Sequence, residues 1–229
     1  MINFTQTPKR IEIKDVITSS MLCPFEKSLK LCDLGFRQTY PPRKINSLYF
    51  DSLSLNSFEE SIEGSSERTK LRLRWYGNER SLTPSTFEIK RKVGFFSWKD
   101  LYKNQSQVDP DSRKWQNFIL IDKKENYLDQ IIKSKRPVAI VTYNRKYYSS
   151  WNQKIRITID SNLTTFNQRF STQPNLRFSR KHLNQIIIEA KVDANDESEL
   201  HLMHQKLPFS PKRFSKYCES IMPRFENFK

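Results

Sequence analysis

The chain has 229 residues and a formal net charge of +15, because 40 Lys and Arg residues outnumber 25 Asp and Glu residues. Aromatic residues make up 13% of the chain, which argues against a disordered protein, and the longest apolar runs are far too short for a transmembrane helix. Three cysteines without metal-ligand spacing and an opening segment without an apolar signal core predict a reduced protein of the cytoplasm.

The first half of the chain alternates short strands with short helices. Residues 10–17 place charged side chains at alternate positions, which is typical of a half-buried strand. Residues 69–76 show this pattern most clearly, with Lys70, Arg72 and Arg74 on one face and apolar residues on the other. The predicted elements of this half are strands at 10–17, 46–50, 69–76 and 85–93 and helices at 24–34 and 55–62.

The second half begins with the longest helical pattern, residues 111–135, which Pro137 ends. Residues 162–184 are polar and irregular, and we expect a loop there. The further predicted elements are strands at 138–148, 154–160 and 185–192 and helices at 196–206 and 214–225. No repeat and no linker-like change of composition divides the chain, so the sequence predicts a single domain over residues 1–229.

The predicted strands carry charged residues on one face and apolar residues on the other. The charged face comprises Glu12, Lys14, Arg72, Arg74, Glu88, Lys90, Arg145, Arg156, Asp160, Glu189 and Lys191. The apolar faces need helices or loops to cover them, and the charged faces then line a hydrated interior. A closed barrel with a cationic lumen satisfies both demands.

The types of residue on this face point to phosphate. A charged face on one strand is most often an ordinary solvent-facing surface, but here the pattern recurs on six strands. The planar fork of arginine binds phosphate in a bidentate way that lysine cannot reproduce. Glu12, Glu88 and Glu189 among the cations favour a divalent cation held beside phosphate oxygens over a plain nucleic-acid surface.

A set of short motifs occurs in the order found in a known family. The motifs are R-I-E-I-K (10–14), S-L-Y-F-D-S (47–52), R-T-K-L-R-L-R-W-Y-G (68–77), F-E-I-K (87–90), Y-N-R (143–145), R-I-T-I-D (156–160), I-E-A-K (188–191) and R-F-S-K-Y (213–217). Together they resemble the polyphosphate polymerase domain of the vacuolar transporter chaperone (VTC) family, which belongs to the triphosphate tunnel metalloenzymes. The resemblance runs from about residue 10 to residue 220.

The resemblance implies an α+β fold in which an eight-stranded antiparallel barrel forms a cationic tunnel covered outside by helices. It implies a phosphotransferase, an ATP-dependent polymerase that moves the terminal phosphoryl group of ATP to a growing inorganic polyphosphate chain. Glu189 would hold Mn²⁺ or Mg²⁺, and Lys216 would reach the reacting phosphate from the last helix. The implied catalytic cations are Lys216, Arg72, Arg74 and Lys90. The implied phosphate-binding set is Lys14, Arg72, Arg74, Lys90, Arg145, Arg156, Lys191, Ser215 and Lys216.

The sequence departs from the wider superfamily in its opening strand, where Glu12 is the single glutamate before Lys14. Eukaryotic relatives work in a membrane complex, whereas this sequence contains no membrane-spanning pattern, which leaves a membrane-protein partner open. The implied ligands are ATP and inorganic polyphosphate, and no nucleic acid is expected.

Three other functions stay open. A triphosphate or tripolyphosphate hydrolase on the same tunnel would need a positioned water, and no residue stands out for that role. A non-catalytic polyphosphate-binding module would not need Glu189 and Lys216, which are both present. A nucleic-acid-binding protein agrees with the charge and with Trp98 and Trp151, but no recognition motif accompanies them.

Overall fold

The computed structural model describes residues 4–78, 84–104 and 126–222. The strands in these ranges are β1 (Phe4–Gln6), β2 (Arg10–Ile17), β3 (Arg37–Asp51), β4 (Glu67–Tyr76), β5 (Ser85–Val93), β6 (Phe96–Asn104), β7 (Arg136–Ser149), β8 (Arg156–Asn167), β9 (Ser179–His182) and β10 (Ile186–Asp193). The α-helices are α1 (Leu22–Leu31), α2 (Asn56–Glu63), α3 (Asn126–Lys133), α4 (Glu197–Lys206) and α5 (Lys216–Ile221). No helix in the described ranges is long and apolar enough to cross a membrane.

Eight of the strands close into an antiparallel barrel. Their order around the barrel is β6-β2-β10-β8-β7-β3-β4-β5, and the pairing of β5 with β6 completes the circle. β1 adds to the free edge of β6, and β9 pairs with β8. The seam between β2 and β6 is short, because it consists of two residue pairs, Arg10 with Ser97 and Ile11 with Phe96. The predicted closed antiparallel barrel is therefore confirmed.

The apolar faces of the strands point outward and are covered by helices. Leu71, Leu73 and Trp75 of β4 are buried in one outer cluster, in which Leu128 and Ile132 of α3 also lie. A second outer cluster joins α1 and α4 to β2, β8 and β10. Burial of these side chains is the main stabilising contribution to the wall of the barrel, and it leaves the alternate, charged positions facing the lumen.

A third apolar cluster fills one end of the lumen. Tyr217, Cys218 and Ile221 of α5 pack there against lumen-facing residues of β3, β7, β8 and β10, such as Tyr49. The buried carboxylate of Asp51 accepts hydrogen bonds from the backbone N–H groups of Ser57 and Phe58 and from the Tyr217 hydroxyl. These contacts fix α5 in the end of the barrel and tie it to the start of α2.

The structure corrects several predicted boundaries. β3 is much longer than the predicted 46–50, since it begins at Arg37 and its first eight residues are exposed on both faces. The predicted loop at 162–184 is wrong in part, because β8 continues to Asn167 and β9 lies at 179–182. The cause is a bulge at Asn162, whose φ of 55° shifts the alternation of side chains along β8.

Other predicted elements differ in their ends. β6 escaped prediction because both of its faces carry charges, such as Lys99 on one and Asp100 on the other. The predicted helix 24–34 ends at Leu31, and the predicted helix 214–225 is observed at 216–221. Of the predicted helix 111–135, residues 126–133 are helical and the segment 111–125 lies outside the described residues, as do residues 223–225.

Candidate active site

The lumen contains a cavity of about 550 Å³. Seven strands contribute to its wall, together with α2, α5 and the segment before α5. Ten cationic residues reach it from strands β2, β4, β5, β6, β7 and β10, and they are Lys14, Arg68, Lys70, Arg72, Arg74, Lys90, Lys92, Lys99, Arg145 and Lys191. Lys216 of α5 and Lys212 and Arg213 of the segment before it add three more. Such a density of cations in one enclosed space is suited to a polyanion.

Nine of the ten predicted site residues line this cavity. They are Lys14, Arg72, Arg74, Lys90, Arg145, Glu189, Lys191, Ser215 and Lys216. Arg156 does not line the cavity. Its guanidinium lies 3.0 Å from Asp193 at the rim of the barrel, and its side chain is 39% exposed.

Glu88 organises one side of the lumen. Its carboxylate pairs with Arg72, with Arg74 at 3.2 Å and with Lys99 at 3.1 Å. Burial opposes the ionised form, but these three cations outweigh it and hold the pKa of Glu88 well below its usual range. The Nε atom of Arg74 is buried and has no hydrogen-bond partner in the described ranges.

Asp160 organises the opposite side and connects it to α5. It accepts two hydrogen bonds from Arg145, at 2.6 and 2.7 Å, and it pairs with the Nζ atom of Lys216 at 2.6 Å. The Lys216 ammonium also lies 4.8 Å from the centroid of the Tyr143 ring. Ser215 caps α5 by accepting a hydrogen bond from the Cys218 N–H. The first turn of α5 therefore aims Lys216 into the lumen.

Glu12 and Glu189 lie against each other on the neighbouring strands β2 and β10. Burial opposes ionisation of Glu12, but Lys90 and Lys14 lower the pKa of its carboxyl to about 2. Burial also opposes ionisation of Glu189, but its cationic neighbours, Lys191 above all, hold the pKa of the Glu189 carboxyl well below its usual range. Both groups are therefore carboxylates at neutral pH.

This pair fits a hard divalent cation. Two adjacent carboxylates supply the oxygen ligands that Mg²⁺ and Mn²⁺ prefer, and phosphate oxygens commonly complete the coordination of such ions. No cluster of three or more His, Cys, Asp or Glu side chains suited to a metal occurs among the described residues. A metal held by Glu12 and Glu189 would have coordination positions left for other oxygen ligands.

The prediction missed several cations of the cavity for different reasons. Lys70 alternates with Arg72 and Arg74 along β4, and this period is a usable sequence signal for a third cation in the cavity. Lys99 was missed because β6 was not predicted. Arg68 and Lys92, which are paired across β4 and β5, lie at strand ends, where a single alternating step is a weak signal.

Comparison with known proteins agrees with this architecture. A family model described as the VTC domain matches residues 9–223. No curated protein matches the chain. A putative adenylyl cyclase from Hippeastrum, described as having a dominant triphosphatase activity, is similar in fold, with a TM-score of 0.51 and 11% identity over 95% of this chain and 98% of that chain. A putative adenylate cyclase from Vibrio parahaemolyticus gives a TM-score of 0.48 and 11% identity over 90% of this chain and 94% of that chain.

Proposed function

Since the chain belongs to the VTC domain family, we propose that it is a metal-dependent polyphosphate polymerase. In this proposal it transfers the terminal phosphoryl group of ATP to a growing chain of inorganic polyphosphate. The supporting observation is that Lys216 enters the cationic cavity from α5, whereas most of the other cations come from the strands of the barrel. A cavity that merely bound polyanions would not need a cation delivered from a separate element.

The chain's own residues act mainly by position and charge. Phosphoryl transfer passes through a loose transition state, so a site that orients the phosphates and stabilises their charge supplies most of the catalysis. Arg72 and Arg74 offer planar guanidinium groups to the phosphate oxygens, and Lys216 stabilises charge on the transferred group. The acceptor is a polyphosphate oxygen that is already ionised near neutral pH, so no general base is required.

Glu189 and Glu12 hold the divalent cation in this proposal. When bound, the cation neutralises charge on the phosphate oxygens and helps to align them. Lys14, Lys90 and Lys191, which pair with these two carboxylates, then lie beside the phosphates that share the metal. The identity of the metal, the cytoplasmic location and a membrane-protein partner stay predictions.

The test is to incubate the purified protein with ATP and Mn²⁺ and to separate the products on a gel. A ladder of polyphosphate that disappears in Lys216→Ala and persists in the exposed variant Lys30→Ala would support the proposal. Free phosphate without a ladder would identify a hydrolase and overturn it. Binding of polyphosphate without either product would identify a binding module and overturn it as well.

A further inference from the structure

Lys70 is an exception among the cations deep in the lumen. Its neighbours Lys14, Lys90 and Arg72 each pair with a carboxylate. Lys70 has no carboxylate within ion-pair distance in the part of the chain that the structure describes. Its Nζ atom donates a hydrogen bond to Ser215 Oγ at 3.0 Å and lies 5.7 Å from the centroid of the Tyr217 ring.

The surroundings of Lys70 make this lack of a partner costly. Lys90 lies directly opposite it on β5, and like charges in that arrangement destabilise an antiparallel pair. Lys14 of β2 and Arg68 of β4 add further positive charge at close range. A buried ammonium in such a place is stable only if an anion joins it.

We propose that Lys70 and Ser215 form a phosphate subsite at the α5 end of the cavity, where an oxygen of a bound phosphoryl group completes the coordination of the Lys70 ammonium. This inference rests on the proposed function for the nature of the ligand, a phosphoryl group of ATP or of polyphosphate. Its geometry does not depend on turnover. Ser215 can donate its hydroxyl proton to the same phosphoryl group, since its oxygen accepts from Lys70 and from the Cys218 N–H.

Binding at this subsite takes up a proton. Burial is the main cause that lowers the pKa of Lys70 to about 7, and Lys14, Lys90 and Arg68 add to it while Cys218 opposes it. Tyr217 also faces Lys70, and burial raises the pKa of its hydroxyl, which therefore stays neutral. The Lys70 amine is therefore partly unprotonated in the empty cavity, and a phosphate oxygen beside it restores the ammonium.

The test is calorimetry of inorganic tripolyphosphate binding at pH 7.5 in two buffers with different heats of ionisation. The wild type should take up measurably more protons than Lys70→Met, which should bind at least tenfold more weakly. Lys70→Arg carries a permanent charge and should keep most of the affinity while taking up fewer protons than the wild type. Lys30→Met, an exposed control on α1, should behave as the wild type does.

A second arm replaces tripolyphosphate with a non-hydrolysable ATP analogue. A loss for both ligands in Lys70→Met supports a subsite for the phosphoryl group that they share, and a loss for tripolyphosphate alone supports a subsite for the inorganic chain. Equal proton uptake and equal affinity in the wild type and Lys70→Met would overturn the inference. Because no turnover is measured, absence of a polyphosphate ladder would refute the polymerase and leave this result intact.

Discussion

Lys216 is the residue at which a contribution to catalysis can be distinguished from a contribution to ligand binding. Its partner Asp160 also accepts two hydrogen bonds from Arg145, so removal of the Lys216 ammonium does not leave a buried carboxylate unpaired. We expect Lys216→Ala to fold normally and to lose about 100-fold or more in the rate of phosphoryl transfer. Affinity for a non-hydrolysable ATP analogue should fall by less, because the strand cations remain.

The measurement pairs a single-turnover rate with a binding isotherm for the same variant. The control is Lys206→Ala, which removes an exposed ion pair with Asp33 outside the barrel. A parallel fall in rate and affinity would mean that Lys216 contributes to ligand binding and not specifically to the transfer step. An unchanged rate would exclude it from the reaction.

Glu189 is the residue that tests the metal. Glu189→Gln keeps the shape of the side chain but removes a charge on which the divalent cation depends. Arg145 keeps Asp160 as a partner and Lys191 stays close to the Glu12 carboxylate, so we expect the fold to persist while turnover collapses at limiting Mn²⁺. Direct Mn²⁺ binding in the presence of tripolyphosphate, followed by electron paramagnetic resonance, should weaken at least tenfold.

The matched control for this variant is Glu26→Gln, because Glu26 pairs with Lys146 on the outside of the barrel. It should bind Mn²⁺ with the wild-type affinity. Wild-type Mn²⁺ binding by Glu189→Gln would show that the metal is held elsewhere.

At the scale of elements, alternation along strands was the most informative signal. β2 and β5 were predicted with the observed ends, and nine of the ten predicted site residues line one cavity. Strand boundaries are predicted wrongly where the side chains of a strand do not alternate between a buried and an exposed face. The bulge at Asn162 hid the end of β8, and the exposed first half of β3 shows no burial pattern. Arg156 shares a face with Lys191, but strand period alone does not say how deep in the barrel a residue lies.

Tyr217 is one of several polar anchors of α5, beside the ion pairs of Lys216 with Asp160 and of Glu219 with Arg180. The buried hydroxyl of Tyr217 donates to Asp51, whose carboxylate also receives the first N–H groups of α2. Tyr217→Phe removes this bond and leaves Asp51 short of one donor, so we expect a loss of about 1–3 kcal/mol in the free energy of unfolding. The rate of phosphoryl transfer should fall as well, because α5 carries Lys216.

Chemical unfolding and turnover measure the two effects. Tyr148→Phe is the control, since it deletes a hydroxyl bond to Glu26 outside the lumen and should leave the rate unchanged. If Tyr217→Phe matches the wild type in both measurements, the hydroxyl does not anchor the helix.

For the whole molecule, the buried cations of the lumen lower the stability of the ligand-free protein, while the same cations favour the binding of phosphate. The pKa of Lys70 is about 7 in the folded protein against 10.5 in its ordinary state, so the unfolded chain binds more protons between these values. Stability should therefore rise with pH from about 7 to 10.5 through this residue. Lys70→Met removes the buried ammonium, and we expect it to stabilise the ligand-free protein at pH 7 by about 1 kcal/mol or more, since each pKa unit corresponds to about 1.4 kcal/mol.

Urea unfolding at pH 7 and pH 9 provides the check. The difference in stability between Lys70→Met and the wild type should shrink at the higher pH. A variant less stable than the wild type at pH 7 would contradict this account.

The prediction that residues 1–229 form one domain is a separate matter and stays a prediction.

The short seam between β2 and β6 affects the order in which the strands can pair during synthesis of the chain. β4, β5 and β6 follow one another along the chain and can pair soon after they leave the ribosome, with little loop entropy to overcome. β2 offers β6 two residue pairs, and its main partner β10 lies far along the chain, with Arg10 and Asp193 separated by 183 positions. α1 follows β2 directly and can cover its apolar face, but until β10 emerges one edge of β2 has no strand partner. We expect this unpaired edge to be the part of the nascent protein most prone to incorrect pairing and to chaperone binding.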